Sequence, residues 1–147
     1  MQDTEQRSLA AKLYNASKEL LAQASRSDDD NVTLLTKAFA SRFHWSEVGG
    51  PQQLIIGDWL ISRAAAATGF SDLSVFFALR TNLAAQNPST PDWLVASAAE
   101  GLARAYASAG DVTQRNEWHV RATELVARIA NDLDRHLIAD QLATVPA

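Results

Sequence analysis

The sequence predicts an all-α domain, and three observations favour this fold class. Alanine and leucine, two strong helix formers, occur 27 and 17 times among the 147 residues. Only six glycines and four prolines are present, and most of them fall between apolar segments. Apolar residues recur every three or four positions, as in Leu9, Leu13, Ala16 and Leu20, whereas the alternation typical of strands is missing. We therefore expect helices only.

The periodicity predicts seven helices, over residues 4–25, 30–47, 51–68, 71–87, 91–109, 111–130 and 132–144. Pro51 and Pro91 fit the first turn of a helix, where a missing backbone N–H costs nothing. Ser71 and Asp111 are expected as N-caps because their side-chain oxygens can accept from free backbone amides. These four residues give the third to sixth helices their starts.

Glycines and one polar segment mark the remaining helix ends. Gly69 and Gly110 suit the left-handed residue that closes a helix. Residues 25–31 contain three consecutive aspartates and are expected to form a solvated link between the first two helices. A cation could bind these aspartates, but a polar link with carboxylates at a helix start explains them better, and we favour that interpretation.

An internal repeat relates the end of the third predicted helix to the end of the fifth. Residues 61–69 and 102–110 are offset by 41 positions and share an arginine, two alanines and a glycine. Small residues at matched positions, Ser62 with Ala103 and Ala66 with Ala107, would let neighbouring helices approach closely. This pattern favours α-hairpin repeats that bury their faces against each other, although chance matches in an alanine-rich chain are the alternative.

The repeat resembles tetratricopeptide-type helical repeats. Tyr106, four residues before its glycine, and Ala78 and Ala122 on the following helices fit that pattern. The sequence departs from it in its 41-residue spacing, which exceeds that of the usual repeat, and in four positions that carry larger or more polar residues: Ser74, Thr81, Arg115 and His119. The resemblance implies degenerate repeats in a right-handed superhelix.

A second resemblance covers residues 36–146 and is to an uncharacterised family of small bacterial tetratricopeptide-like proteins. It rests on segments that occur in order: residues 40–45, 57–63 and 99–107, completed by residues 134–137 with Asp140 and residues 142–146. The resemblance implies the helical-repeat fold and no particular activity.

Composition and charge exclude several classes of function. The chain has no cysteine, which excludes disulfides, thiolate zinc sites and cysteine nucleophiles. A net charge of -4 without a basic stripe argues against nucleic-acid binding. No stretch of about 18 apolar residues could span a membrane, and the first 25 residues lack the pattern of a signal peptide. We therefore expect a cytoplasmic protein.

The sequence contains no catalytic or cofactor motif. No serine stands in a nucleophile elbow, and no glycine-rich phosphate loop is present. Among the three histidines, His136 has the best surroundings for a metal, with Asp132 and Asp140 one helical turn away. Polar pairs at the surface explain this arrangement more simply. We expect no enzyme activity, no metal and no cofactor.

Four residues on the third and fifth helices are candidates for a binding groove. Trp59 and Arg63 are i, i+4 neighbours, as are Glu100 and Arg104, and the arginines occupy matched repeat positions. In tetratricopeptide proteins the side chains at these two offsets from the turn glycine face the concave groove, so the resemblance implies that all four residues line it. Arginine can bind a carboxylate with two hydrogen bonds, and an exposed tryptophan supplies an apolar anchor. Alternatively, Glu100–Arg104 is only an intrahelical ion pair and Trp59 is a core residue under Arg63.

A further cluster of candidates, Arg42, His44 and Trp45, ends the second helix. These residues would line the same groove. Alternatively, the cations only stabilise the end of the helix and Trp45 lies in the core.

The sequence as a whole predicts one helical-repeat domain over residues 1–147. An N-terminal helix and linker occupy 1–30, hairpin repeats 31–131 and a capping helix 132–147. The few repeats favour a compact body or a homodimer. We expect a non-catalytic module that binds a protein or peptide segment. The alternative is a small-molecule-binding or hydrolytic protein whose pocket is walled by five candidates: Arg42, His44, Trp59, Arg63 and Glu100.

Overall fold

The computed structural model describes residues 1–147 and consists of seven helices without a strand. They are α1 (Asp3–Ala22), α2 (Asp28–Val48), α3 (Pro51–Ala67), α4 (Ser71–Ala84), α5 (Asp92–Ser108), α6 (Val112–Ala127) and α7 (Asp132–Ala143). The all-α prediction and the number of helices are therefore confirmed. None of the helices combines the length and hydrophobicity that a membrane crossing requires.

The helices pack as three consecutive hairpins, α1 with α2, α3 with α4, and α5 with α6, followed by α7. The odd-numbered helices contact one another in order, from α1 to α3, α5 and α7. No Cα atom of α2 lies within 8 Å of one in α4, although both helices pack on α3. The first hairpin is antiparallel, since Arg7 near the start of α1 donates to the Val48 carbonyl at the end of α2. Helix α1 thus folds back onto the body of the protein.

Alanine makes this close packing of helices feasible. Half of the buried hydrophobic residues are alanine, and α3 and α5 are buried without interruption over residues 57–62 and 96–103. Because consecutive helical residues point in different directions, such runs mean that each helix is surrounded by neighbours. The two central helices therefore place their polar side chains in or beside the core.

The matched glycines end α3 and α5 in the same way. Gly69 and Gly110 have φ angles of 87° and 74°. The amide after each glycine donates to a carbonyl one turn back: Phe70 N to Ala65 O at 2.9 Å, and Asp111 N to Tyr106 O at 3.0 Å. Both ends are Schellman motifs, as the sequence predicted for these glycines.

Several predicted helix ends are wrong by one to three residues. Ser71 is not an N-cap, because its hydroxyl donates to the Ser108 carbonyl at 2.7 Å and Phe70 takes the cap position. Pro91 precedes α5 as its N-cap, so it is not in the first turn. Asp111 is the N-cap of α6 as expected and accepts from Gln114 N at 3.1 Å.

The link between α1 and α2 is shorter than predicted, because the three aspartates belong to α2. Ser27 caps α2, and its side chain and that of Asp30 exchange hydrogen bonds with each other's backbone amides at 3.1 Å. Asp28, Asp29 and Asp30 thus form the first turn of α2, where the helix dipole favours negative charge.

Two departures from the repeat pattern have structural roles. Ser74 exchanges hydrogen bonds with Ser62: each hydroxyl donates to the other residue's carbonyl at 2.8 Å, in the buried seam between α3 and α4. Arg115 donates to the Pro146 carbonyl at 2.9 Å and so holds the C-terminal segment against α6. Both polar side chains serve contacts that an alanine could not make.

Candidate functional site

A buried carboxylate on α5 lies between two arginines at matched positions of the repeat. Glu100 is completely buried. Nε and Nη2 of Arg104 donate to its Oε1 at 3.0 and 2.6 Å, and Arg63 Nη1 lies 3.5 Å from the same oxygen. A buried carboxylate is retained only with such compensation, because desolvation strongly disfavours an isolated charge.

The two arginines differ in how many hydrogen bonds they donate. Arg104 also donates to the Gln141 carbonyl at 3.0 Å and to Thr144 Oγ1 at 2.7 Å, which ties α5 to α7. Arg63 instead lies over the Trp59 ring, with 5.4 Å between its guanidinium carbon and the ring centroid, and donates to no protein acceptor. Arg63 therefore retains hydrogen-bonding capacity, while Arg104 is largely structural.

Burial perturbs two ionisable groups around this cluster. The pKa of Arg63 is lowered by its burial, raised in part by the charge of Glu100, and lowered further by the charge of Arg104. Burial raises the pKa of Tyr14 on α1, and the charge of Arg63 partly opposes that shift. The cluster therefore combines two arginines with one carboxylate in a largely buried place.

An open cleft of about 280 Å³ adjoins the cluster, and we call it the arginine cleft. It is lined by residues from α1, α3, α5, the α1–α2 link and the C-terminal segment: Leu21, Arg26, Arg63, Ala66, Ala67, Arg104, Ala107, Ser108 and Pro146. Its walls include the matched pair Ala66 and Ala107, whose small side chains leave room for a ligand. Three cations face the cleft, and buried Glu100 offsets only one of them.

Only four of the seven predicted site residues come together. Trp59, Arg63, Glu100 and Arg104 form one cluster, but only Arg63 and Arg104 line the cleft, so the expectation that all four line one groove is wrong for Trp59 and Glu100. Of the two placements considered for Trp59, the structure shows the core one, because Trp59 is only 7% exposed and lies under Arg63. The intrahelical Glu100–Arg104 pair is also present. The structure therefore shows the second of the two alternatives, a core Trp59 under Arg63 and an intrahelical Glu100–Arg104 pair, with the cleft beside them.

The other three candidates lie elsewhere. His44 Nδ1 contacts Gln6 Oε1 at 3.0 Å, in the α1–α2 hairpin. Trp45 lines a separate cavity of about 220 Å³ with Tyr14. Arg42 donates from Nε to Asp58 Oδ1 at 2.9 Å, on another side of α3 from Arg63. The five residues expected to wall a single pocket therefore do not share one.

Sequence reasoning missed Asp58 and Arg80. Buried Asp58 accepts from Arg42, and its Oδ2 lies 3.4 Å from Arg80 Nε. The available signal was an acid within the apolar segment 54–61, where a charge needs a partner. Nothing local identified the partners, because they come from α2 and α4.

The three histidines and the acidic residues form no metal centre. No group of three or more such side chains is close enough to hold an ion. Beside His136, Asp132 accepts from Arg135 Nη2 at 2.5 Å, so one of the two aspartates considered as ligands is engaged in an ion pair.

No family model matches the chain, and no curated protein or solved structure matches it either.

Proposed function

We propose that the chain is a non-catalytic, tetratricopeptide-like binding module that holds a carboxylate-bearing peptide segment in the arginine cleft. One observation carries the proposal: Arg63, at a matched repeat position, faces the cleft without a hydrogen bond to any protein acceptor.

Charge and shape support a peptide carboxylate as the ligand. Arg26, Arg63 and Arg104 outnumber the single buried acid, so an added negative charge is favoured at this place. Arg26 is held by Asn31 Oδ1 and the Ala67 carbonyl, at 3.0 and 3.2 Å, and thus contributes charge more than free donors. Arg63 would donate to the carboxylate, and Trp59 beneath it keeps the guanidinium oriented.

The packing of the helices supports the tetratricopeptide-like interpretation. In that architecture the first helix of each hairpin contacts the first helix of the next, as α1, α3 and α5 do here. The Schellman motifs, 41 residues apart, give two hairpins the same turn. A segment bound along the odd-numbered helices would cross the arginine cleft.

The test is a selection from a random peptide library with free C termini, followed by fluorescence anisotropy. We expect each selected peptide to bind at least about tenfold more tightly than its C-terminally amidated form, because the charge-assisted bond is lost on amidation. Ala66→Glu, which adds an acid to the cleft wall, should abolish binding. Ala127→Glu, on the exposed surface of α6, is the matched control and should bind normally.

Reversing the arginine charges would be a poorer test because it would leave Glu100 buried without its partners. Equal binding of free and amidated peptides would show that the carboxylate is not recognised. If the library yields no binder, the peptide function is wrong.

A further inference from the structure

A second arginine–carboxylate–arginine arrangement lies between α2 and α4, away from the arginine cleft. Asp58 on α3 is bridged by Arg42 of α2 and Arg80 of α4 through their Nε atoms, at 2.9 and 3.4 Å. The Nη groups of both arginines donate to no protein acceptor and are not among the buried polar atoms. The three side chains carry a net charge of about +1 at neutral pH.

The arrangement is built into the backbone of α3. A Cβ atom on Gly57 would lie 2.9 Å from Arg42 Cγ and 3.1 Å from its Cδ. Glycine at this position therefore allows the Arg42 stem to lie flat against α3 and reach Asp58. The buried aspartate in turn holds both guanidinium groups at the floor of the space between α2 and α4.

Two cavities meet at these three residues. A polar cavity of about 530 Å³ extends towards the α4–α5 loop, where Asn87, Ser89 and Thr90 line it. An apolar cavity of about 340 Å³ extends the other way, between Phe39, Phe43, Phe76 and Phe77. Arg42, Asp58 and Arg80 line both. Each volume is within the range of small-molecule sites.

The phenylalanines form an apolar surface that the chain itself leaves uncovered. Phe43 and Phe76 are 60% and 57% exposed, on opposite sides of the groove. Phe39 and Phe77 meet below them edge to face, with 5.7 Å between their ring centroids. An apolar surface next to two cations with free donors is complementary to a ligand that carries both an apolar part and a negative charge.

We propose that this groove, the outer groove, binds an amphiphilic carboxylic acid, with its carboxylate on Arg42 and Arg80 and its alkyl chain between Phe43 and Phe76. A neutral amphiphile would leave the guanidinium donors without an acceptor, and a cationic one would meet like charge. The net charge of the floor matches a monoanion. This site is independent of the peptide-binding function proposed for the arginine cleft.

Isothermal titration calorimetry with decanoate tests the ligand class. Decanoate should bind at least about tenfold more tightly than acetate, which lacks the chain, and than decyltrimethylammonium, which carries the opposite charge. Decyl phosphate is titrated in the same way. If decyl phosphate binds more tightly than decanoate, the ligand carries a phosphate head group, and the assignment to a carboxylic acid is overturned.

Two variants with matched controls test the location. Arg80→Gln leaves Arg42 on Asp58, so the fold should persist, as circular dichroism would verify. Its control is Arg121→Gln, since the two arginine side chains are 49% and 53% exposed and each pairs with one carboxylate. Phe76→Ser is matched by Leu133→Ser on α7, also a highly exposed apolar residue. Both groove variants should weaken decanoate binding at least about tenfold, and both controls less than twofold.

Several results would overturn the proposal. Four results with decanoate would do so: no binding, no preference over the cation, no effect of Arg80→Gln, or loss of binding in Ala66→Glu, which would place the acid in the arginine cleft. A further overturning result is a stable dimer that becomes monomeric with Phe76→Ser and does not bind decanoate. The surface would then be an interface between two copies of the chain.

Discussion

Two carboxylates, Asp58 on α3 and Glu100 on α5, lie buried between pairs of arginines. Each joins at least two helices: Asp58 connects α2, α3 and α4, and Glu100 connects α3 with α5. Burying these charges costs desolvation free energy, which the arginines offset only when the helices are correctly placed. We infer that the two acids specify helix positions more than they add stability.

Removing the charge of Glu100 tests its role. Glu100→Gln should lower the free energy of unfolding by about 3 kcal/mol, the lower end for a broken buried pair, because Arg63 and Arg104 keep some solvent contact. Urea denaturation followed by circular dichroism measures the loss. Glu124→Gln, in an exposed pair with Arg121, is the control and should cost less than about 1 kcal/mol. Equal losses for the two variants would contradict the assigned role.

The ionisation of Tyr14 makes the free energy of unfolding depend on pH in the alkaline range. Burial raises its pKa in the folded protein above the ordinary value of 10.0, and the charge of Arg63 opposes part of that rise. Above about pH 10 the unfolded chain loses the Tyr14 proton while the folded protein retains it, so the free energy of unfolding falls as pH rises. Tyr14→Phe should show a smaller fall between pH 9 and pH 10.5 in urea titrations. Tyr106→Phe retains Tyr14 and should keep the full fall.

At the scale of a helix, α5 contains Gly101 and is followed by Gly110, and these two glycines have opposite requirements. Gly110 closes the helix with a φ of 74°, whereas Gly101 lies within the helix and faces the Trp59 ring. A Cβ atom at Gly101 would lie 3.4 Å from Trp59 Cδ1, which is an ordinary contact distance. The same substitution should therefore have opposite effects at the two sites.

Gly110→Ala should lower the free energy of unfolding by about 1–2 kcal/mol, because the left-handed conformation is unfavourable for alanine. Gly69→Ala, at the matched position of α3, should behave alike. Gly101→Ala should raise the free energy by up to about 1 kcal/mol through its higher helix propensity. Thermal and urea denaturation of the three variants provide the measurements. Stabilisation by Gly110→Ala would show that the Schellman motif does not require glycine.

The order in which the helices pack determines which parts of the molecule resist local unfolding most. Helices α3 and α5 lie in the middle and are buried on all sides over 57–62 and 96–103. Helix α1 contacts only α2 and α3, and α7 contacts only α5 and α6. Local opening therefore costs least at the two ends of the chain.

Native-state hydrogen exchange tests this order. Amides in α3 and α5 should be the most protected, and those in α1 and α7 should exchange faster, because their helices can separate from the body while the centre stays packed. Arg104→Lys, which weakens the connection of α5 to Gln141 and Thr144, should accelerate exchange in α7 and leave α1 unchanged. Uniform protection across all seven helices would contradict this expectation.

The helices and the approximate positions of their ends follow from the amino-acid sequence alone. Periodic apolar residues, the cap at Asp111 and the closing glycines act through steric limits and hydrogen bonds within a few residues of chain, so the local sequence is sufficient to predict them. The resemblance to tetratricopeptide repeats also grouped Trp59, Arg63, Glu100 and Arg104 on adjoining helices, but it implied that all four line a groove, whereas Trp59 and Glu100 are buried.

Which side chains are buried, and which distant ones meet, depends on how the helices pack together. Trp59 is a core residue because α1 and α5 both pack on α3. Arg42 and Arg63 lie on different sides of α3, since Arg42 pairs with Asp58 of α3 and Arg63 pairs with Glu100 of α5. Asp58 meets Arg42 and Arg80 through the rotation of three helices about their axes, and the local sequence does not specify that rotation. It results from packing side chains across all the interfaces at once.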